Sequence, residues 1–202
     1  MPLPRSFYDR PTLTVAPELL GKVLVHRTRE GVASGIIVEA EAYIGEDDPA
    51  CHAAPGPTRR NQPLYGPPGI AYVYLNYGIH FLFNVVTEAA GRPAAVLVRA
   101  LEPLEGLPLM RARRAPDRAR RVPDHELCRG PGSVTKALAI TLDDNRADLC
   151  ANRGLYLEER GREARPIAWS SRIGISVGTE HHWRCYVEGS PAVSGPSRRR
   201  TA

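Results

Sequence analysis

The chain has 202 residues, with 27 lysines and arginines against 22 aspartates and glutamates and a net charge of +5. That length suffices for one sizeable core, and neither an internal repeat nor a Ser/Gly-rich linker divides it, so one domain is expected over residues 1–194. No apolar run approaches the roughly 20 residues of a membrane helix, and no signal-type segment follows Met1-Pro2-Leu3-Pro4-Arg5, which predicts a soluble protein of the cytoplasm or nucleoid.

Cys51, Cys128, Cys150 and Cys185 are scattered without a C-x-x-C pair, so reduced, mostly buried thiols are expected rather than disulfides or a zinc site. His181 and His182 would diverge on a strand, which argues against a metal centre there. Lysine occurs only at Lys22 and Lys136. Arginine therefore carries nearly all the positive charge, in forks that suit phosphate oxygens, although arginine usage also follows genome base composition.

In chain order, Thr14 to Leu20 reads as a short helix closed by Gly21, leading into a strand from Lys22 to His26. A second strand runs from Ser34 to Tyr43. Strict alternation puts its Ile37, Glu39, Glu41 and Tyr43 on one face and Val38, Ala40 and Ala42 on the other. Ile44 to Gly69 is a proline-rich loop, longer than ordinary connections and so a candidate for function. Ile70 to Leu75 and His80 to Thr87 are strands joined by a hairpin turn at Asn76-Tyr77-Gly78, with Tyr77 at the tip. Pro93 to Leu101 is a further apolar strand and Leu104 to Arg114 a helix, followed by an arginine-rich connection to Pro123. Gly130-Pro131-Gly132 opens a helix over Ser133 to Ile140, and Leu155 to Glu158, Arg172 to Val177 and Arg184 to Val187 read as strands. Hairpins with few regular strand–helix alternations predict an α+β domain, a curved and mainly antiparallel β-sheet core flanked by helices. Gly195 to Ala202, with three arginines, is expected to be a disordered basic tail.

With two carboxylates on one face of so apolar a strand, one of them needs a reason to be there. The strand ends in Glu41 and Tyr43, His52 follows in the loop, and Tyr65, Tyr72, Tyr74, Tyr77, Phe81 and Phe83 make up six of the chain's thirteen aromatics. A carboxylate, a histidine and several flat side chains suit a planar, cationic group and an activated water aimed at a bond attached to it. Breaking an N-glycosidic bond develops positive charge on the sugar, which a carboxylate stabilises while deprotonating the attacking water. Glu41 is the candidate base and Glu39 its competitor; a surface position or an arginine partner is the alternative reading. Tyr72, Phe81 and Phe83 suit a core, whereas Tyr77 at a turn tip suits a wedge into a base stack. Arg99 reads either as an ion-pair partner of Glu102 or as a ligand for phosphate and water. Arg111, Arg113, Arg114, Arg118, Arg120 and Arg121 form either a solvated face or a DNA-facing one. These residues leave three readings: a base-excising enzyme, a nucleic-acid-binding module whose tyrosines stack on bases, and a hydrolase of free nucleosides.

The ordered set of Ile37 to Tyr43, Thr58 to Asn61, Ala71 to Tyr74 through Tyr77-Gly78, Asn84, Val96 to Gly106, Glu126 to Gly132, Lys136 to Ile140, Arg172 to Ile175 and Tyr186 to Pro191 resembles the alkyladenine, or 3-methyladenine, DNA glycosylase family of base-excision repair. The resemblance runs from about Leu19 to Ser194. It implies a single mixed domain on an antiparallel sheet, without metal or cofactor, acting as a monomer on double-stranded DNA with damaged purines and leaving an intact abasic site. By the same resemblance Glu41 activates water, and Arg99 and the backbone carbonyl of Ile173 help hold it. Tyr43, His52 and Tyr74 wall the base pocket, Tyr77 fills the gap in the duplex, and Asn84 excludes the exocyclic amine of guanine. Arg59, Arg60, Gly130 and Lys136 are the DNA-backbone candidates. The loop from Cys51 to Thr58 is shorter than in vertebrate relatives, Glu88 to Pro93 is longer, and His80 stands where an aromatic is common.

Overall fold

The computed structural model describes residues 1–115, 122–161 and 165–195. Arg118, Arg120 and Arg121 of the basic connection, and the expected tail beyond Gly195, lie outside them. Helices α1 (Arg5–Tyr8) and α2 (Thr12–Leu19) precede strands β1 (Val23–Thr28) and β2 (Gly31–Ile44). After the long loop come β3 (Ala71–Asn76), β4 (His80–Val86) and β5 (Ala94–Glu105). Helices α3 (Leu107–Arg114) and α4 (Pro131–Leu138) and strands β6 (Leu155–Glu158), β7 (Ile167–Ser170) and β8 (Arg184–Val187) complete the order.

The eight strands form one antiparallel sheet in the order β3-β4-β5-β2-β1-β6, with β8 on β2 and β7 on β8. Strand β2 is its spine: the first part pairs with β1, Glu39 to Glu41 pair with β8, and β5 follows the other edge. The main core lies between this sheet and the helices, where Leu24, Ile37, Val96 and Val98 meet Leu19 of α2 and Val134 and Leu138 of α4. The architecture is the α+β one expected from the hairpin-rich pattern. Among the described residues no helix is long and apolar enough to cross a membrane. All four cysteines are free, three of them buried.

Three departures from the sequence reading have local causes. Helix α3 starts at Leu107 rather than Leu104 because β5 continues to Glu105, which pairs with Ser34. Gly106 then makes the break at φ 77°, where a Cβ would lie 2.3 Å from the Val32 carbonyl oxygen, so only glycine fits. The segment 172–177 is not a strand, since its backbone turns at Gly174 (φ 77°) and the Arg172 side chain is drawn inward. The strand that pairs with β8 is instead Ile167–Ser170, four residues too short to show a pattern.

The third departure creates the site. Ile37 pairs with Leu101 and Ala40 with Val98, but the register is irregular on both sides of Glu39, which faces Ala100. One residue is added on each strand there, at Val38 on β2 and at Arg99 on β5, and such bulges reverse the alternation of side chains. Ile37 therefore shares the main core with Ala40 and Ala42, from which strict alternation would separate it. Glu39, Glu41 and Arg99 are brought together instead.

Candidate active site

A cavity of about 490 Å³ opens beside the β3–β4 hairpin. Its walls include Tyr43, His52, Tyr72, Tyr74, Asn84, Arg99 and Ile173, with Tyr77 and the Gly130–Ser133 stretch also bordering it. Strand spacing explains the first group: Tyr72 and Tyr74 alternate on β3, and Asn84 lies directly across from Tyr72 on β4. The Asn84 amide is buried and donates to the Tyr72 carbonyl oxygen at 3.1 Å, so its orientation is held by the hairpin itself. Tyr72, which suited a core by its pattern, is buried, yet its hydroxyl and His52 Nδ1 share a hydrogen bond of 2.8 Å.

The loop that carries His52 is organised by Asn61. Its amide donates to the carbonyls of His52 (2.7 Å) and Gly56 (2.9 Å), and its Oδ1 accepts from the Thr58 N–H at 2.6 Å. The His52 and Tyr74 rings meet edge to face with centroids 4.4 Å apart. Burial, and then the Arg60 guanidinium, push the His52 pKa below its ordinary value, so the imidazole is neutral at physiological pH. At the hairpin tip Tyr77 and Gly78 adopt φ of 48° and 70°, and the Ile79 N–H closes on the Asn76 carbonyl at 3.0 Å. Tyr77 is 89 % exposed. A tyrosine at positive φ costs energy and gains no burial there.

Beneath the cavity wall lies Glu41, fully buried. One carboxylate oxygen accepts the Ile173 N–H at 2.7 Å; the other accepts the Tyr43 hydroxyl at 2.9 Å and Arg99 Nη1 at 3.1 Å. All three donors line the cavity. Burial raises the Glu41 pKa above the usual carboxylate value; Arg99, the Ile173 N–H and the Tyr43 hydroxyl pull it back, and Glu39 pushes it further up. A carboxylate so placed is a stronger base than one in water. The Ile173 contact runs through its N–H, whereas the resemblance had drawn attention to its carbonyl. Arg99 turns away from Glu102, whose carboxylate accepts from Arg165 (2.8 and 2.9 Å) and the Ser190 hydroxyl (2.7 Å), and binds Glu39 and Glu41.

Behind Tyr43 stands a pair that the pattern of the sequence did not announce. Arg172 and Asp48 have side chains with no exposure and bond at 2.6 and 2.8 Å. The guanidinium lies 4.7 Å from the Tyr43 ring centroid and 5.1 Å from that of Trp183, and donates to the Ala42 carbonyl oxygen. It thereby ties the loop after β2 to the segment that presents Ile173. The backbone candidates are scattered more widely. Arg59 is exposed on the loop, Arg60 is exposed over the Tyr74 ring and donates to the Leu75 carbonyl, Gly130 borders the cavity, and Lys136 is exposed on α4. Arg111 and Arg113 are engaged internally, with Asp124 and with Glu30.

Comparisons with known proteins place the chain among related sequences. A family model described as Methylpurine-DNA glycosylase (MPG) matches residues 6–191. Three relatives carry the name "Putative 3-methyladenine DNA glycosylase". That of Methanocella arvoryzae is 49 % identical over 195 residues, covering 95 % of each chain. That of Chlorobium phaeobacteroides is 47 % identical over 195 residues, covering 96 % of this chain and 95 % of its own. That of Rubrobacter xylanophilus is 50 % identical over 182 residues, covering 90 % and 91 %.

Proposed function

This chain belongs to the methylpurine-DNA glycosylase family and is a hydrolase of N-glycosyl bonds in DNA, and on that premise we propose that it turns alkylated or deaminated purines of the 3-methyladenine, hypoxanthine and ethenoadenine type out of duplex DNA and removes them with a water activated by Glu41. The observation that carries this reading is a buried carboxylate held by three donors that all line one aromatic cavity. A carboxylate has about four lone-pair sites, so three donors leave one for the attacking water. The Arg99 charge steadies the carboxylate until the proton arrives, and the developing sugar cation is offset by the same carboxylate.

The cavity serves as the base pocket. Tyr43, Tyr74 and neutral His52 present ring faces and edges on which an extruded purine stacks, and a cationic alkylpurine gains about 0.5–2 kcal/mol from a tyrosine face. Tyr77 takes the place of the extruded base. Extrusion costs a few kcal/mol, least where pairing is already damaged, so wedge and pocket together give selectivity. Neither lysine lines the cavity, and Lys22 is paired with Glu159, so no amine attacks the sugar and the product is an intact abasic site left by a monofunctional enzyme.

Duplex DNA with a single hypoxanthine or ethenoadenine tests the reading. We expect alkali-labile abasic sites to accumulate with time. Binding without base release would instead favour a stacking module, and release from free nucleosides alone a nucleoside hydrolase.

Two variants probe the pocket. Tyr77→Ser is expected to weaken binding to lesion duplex by about 1–3 kcal/mol, since it removes the stacking plug, and to leave excision from single strands much less affected. Parallel losses on both substrates would reassign Tyr77 to the pocket. Asn84→Ser shortens an amide that crowds the N2 amine carried by guanine and absent from hypoxanthine. Release of guanine-type bases relative to hypoxanthine is expected to rise, and an unchanged ratio in a folded variant would remove Asn84 from the specificity account.

A further inference from the structure

The base reading leaves Glu39 without a task, yet Glu39 is as deeply buried as Glu41, each at 0 % exposure. An ionised carboxylate is costly to bury unless it is well paired. Glu39 Oε1 accepts Arg99 Nε at 3.1 Å, Arg184 Nε at 2.7 Å and the Ser194 hydroxyl at 2.9 Å, while Oε2 accepts the Ser194 N–H at 2.6 Å. Arg99 is thus shared between the two glutamates, through Nε to Glu39 and Nη1 to Glu41. Arg184 is held in turn by the Ser170 hydroxyl (2.8 Å) and the Ser194 carbonyl (2.9 Å). The result is a buried alternating row, Glu41–Arg99–Glu39–Arg184, whose charges cancel. Glu39, Glu41 and Arg184 all lie behind the cavity wall, to which only Arg99 of this row belongs.

We propose that Glu39 is a positioning residue for Glu41 acting through Arg99: it fixes the guanidinium so that Nη1 alone meets Glu41, and it takes up part of the Arg99 charge that would otherwise make Glu41 a weak base. A carboxylate paired one-to-one with a buried arginine loses basicity. Sharing the cation with a second carboxylate restores it while keeping the hydrogen bond that orients the first. The neighbours of Glu41 are Tyr43 and Glu39 on β2, Arg99 on β5, Tyr74 on β3, Cys185 and the register partner of Glu41, Arg184, on β8, and Arg172 with the Ile173 N–H from the segment after β7. Of the charged ones Glu39 alone is negative, and it pushes the Glu41 pKa upward. Ser194 and Arg184 set how much of the Glu39 charge remains for Arg99, so β8 and the segment after it take part in tuning the base.

This inference rests on Glu41 being the base, and the test separates the two. Single-turnover excision of hypoxanthine from duplex DNA is followed across pH for the wild type, Glu41→Gln, Glu39→Gln and Ser194→Ala. In Glu39→Gln the acid limb is expected to move to lower pH and the plateau to fall by about fivefold, because a weaker base works at a lower rate. Ser194→Ala removes one donor from Glu39 and keeps the backbone N–H, so its acid limb is expected to move the opposite way. A Glu39 that merely holds the fold would lower the melting temperature and the plateau but leave the limb in place, and an unmoved limb in folded Glu39→Gln overturns the proposal. If Glu39→Gln does not fold, an unmoved or lowered limb in Ser194→Ala does so. Full activity with an intact acid limb in Glu41→Gln would instead sink the base reading itself.

Discussion

Replacing Glu41 with glutamine is expected to cut excision by at least about a hundredfold, or roughly 2.7 kcal/mol of barrier, while binding to lesion DNA is kept. The substitution removes the proton acceptor but almost no volume. Glutamine still offers an oxygen to the Ile173 N–H, and because Glu41 lies behind the cavity wall, the stacking surfaces of Tyr43, Tyr74 and His52 are unchanged. The pH dependence has a definite sign. Burial, first among the causes, and then Glu39 hold the Glu41 pKa above the ordinary carboxylate value, against Arg99, Ile173 and Tyr43. Only the ionised form accepts a proton from water, so wild-type excision should decline as pH falls through that raised value, and the decline should be absent from whatever activity the glutamine variant retains. Single-turnover rates across pH, with binding followed by fluorescence anisotropy, check both halves. Loss of binding in step with rate would mean that Glu41 shapes the pocket and does not act on water.

Asp48→Asn is expected to be the most destabilising of the simple substitutions, by about 3–5 kcal/mol, since it leaves the Arg172 guanidinium buried without its counter-charge. For a domain of this size that corresponds to a fall in melting temperature of about 10 °C. Burial alone would raise the Asp48 pKa, but the hydrogen bonds and charge of Arg172 outweigh it, with help from the Ala50 and Ile44 N–H groups, and hold it below the ordinary aspartate value. A depressed folded-state pKa gives stability that is present above the unfolded-state value and is lost as pH falls through the folded one. The wild type should therefore shed this contribution only in strong acid, and Asp48→Asn should lack that step. Excision should suffer as well, because Arg172 packs on Tyr43 and adjoins Ile173, both in contact with Glu41. Urea denaturation at neutral and acid pH measures the first effect. A variant as stable as the wild type at neutral pH would show that water or another group replaces the aspartate charge.

Local chemistry was readable wherever neighbours in sequence are neighbours in space. The β3–β4 hairpin, its exposed Tyr77 tip, the β6 and β8 strands and the α4 helix follow from turn residues and short apolar runs, and the antiparallel α+β class follows from how many such hairpins there are. The resemblance supplied roles for Glu41, Arg99, Tyr43, His52, Tyr74 and Asn84, and the fold does bring these six side chains to one place. What periodicity misjudged was the β2 strand around Glu39. There the two-residue repeat breaks, because a paired bulge depends on how β5 lies alongside, and no residue of β2 records that by itself.

The remaining decisions belong to pairs far apart in the chain. Asp48 meets Arg172 and Glu39 meets Arg184 and Ser194 only after β8 has docked against β2. An arginine in a sequence shows a charge and a reach; whether that charge faces phosphate, solvent or a buried carboxylate depends on which strand arrives beside it. The sequence by itself determined the composition of the site, a carboxylate and flat rings on strands that must pair. Tertiary structure decided which carboxylate is held by three residues of the cavity wall and which one is sealed behind an arginine, because burial and a two-sided ion pair exist only once both edges of β2 are occupied.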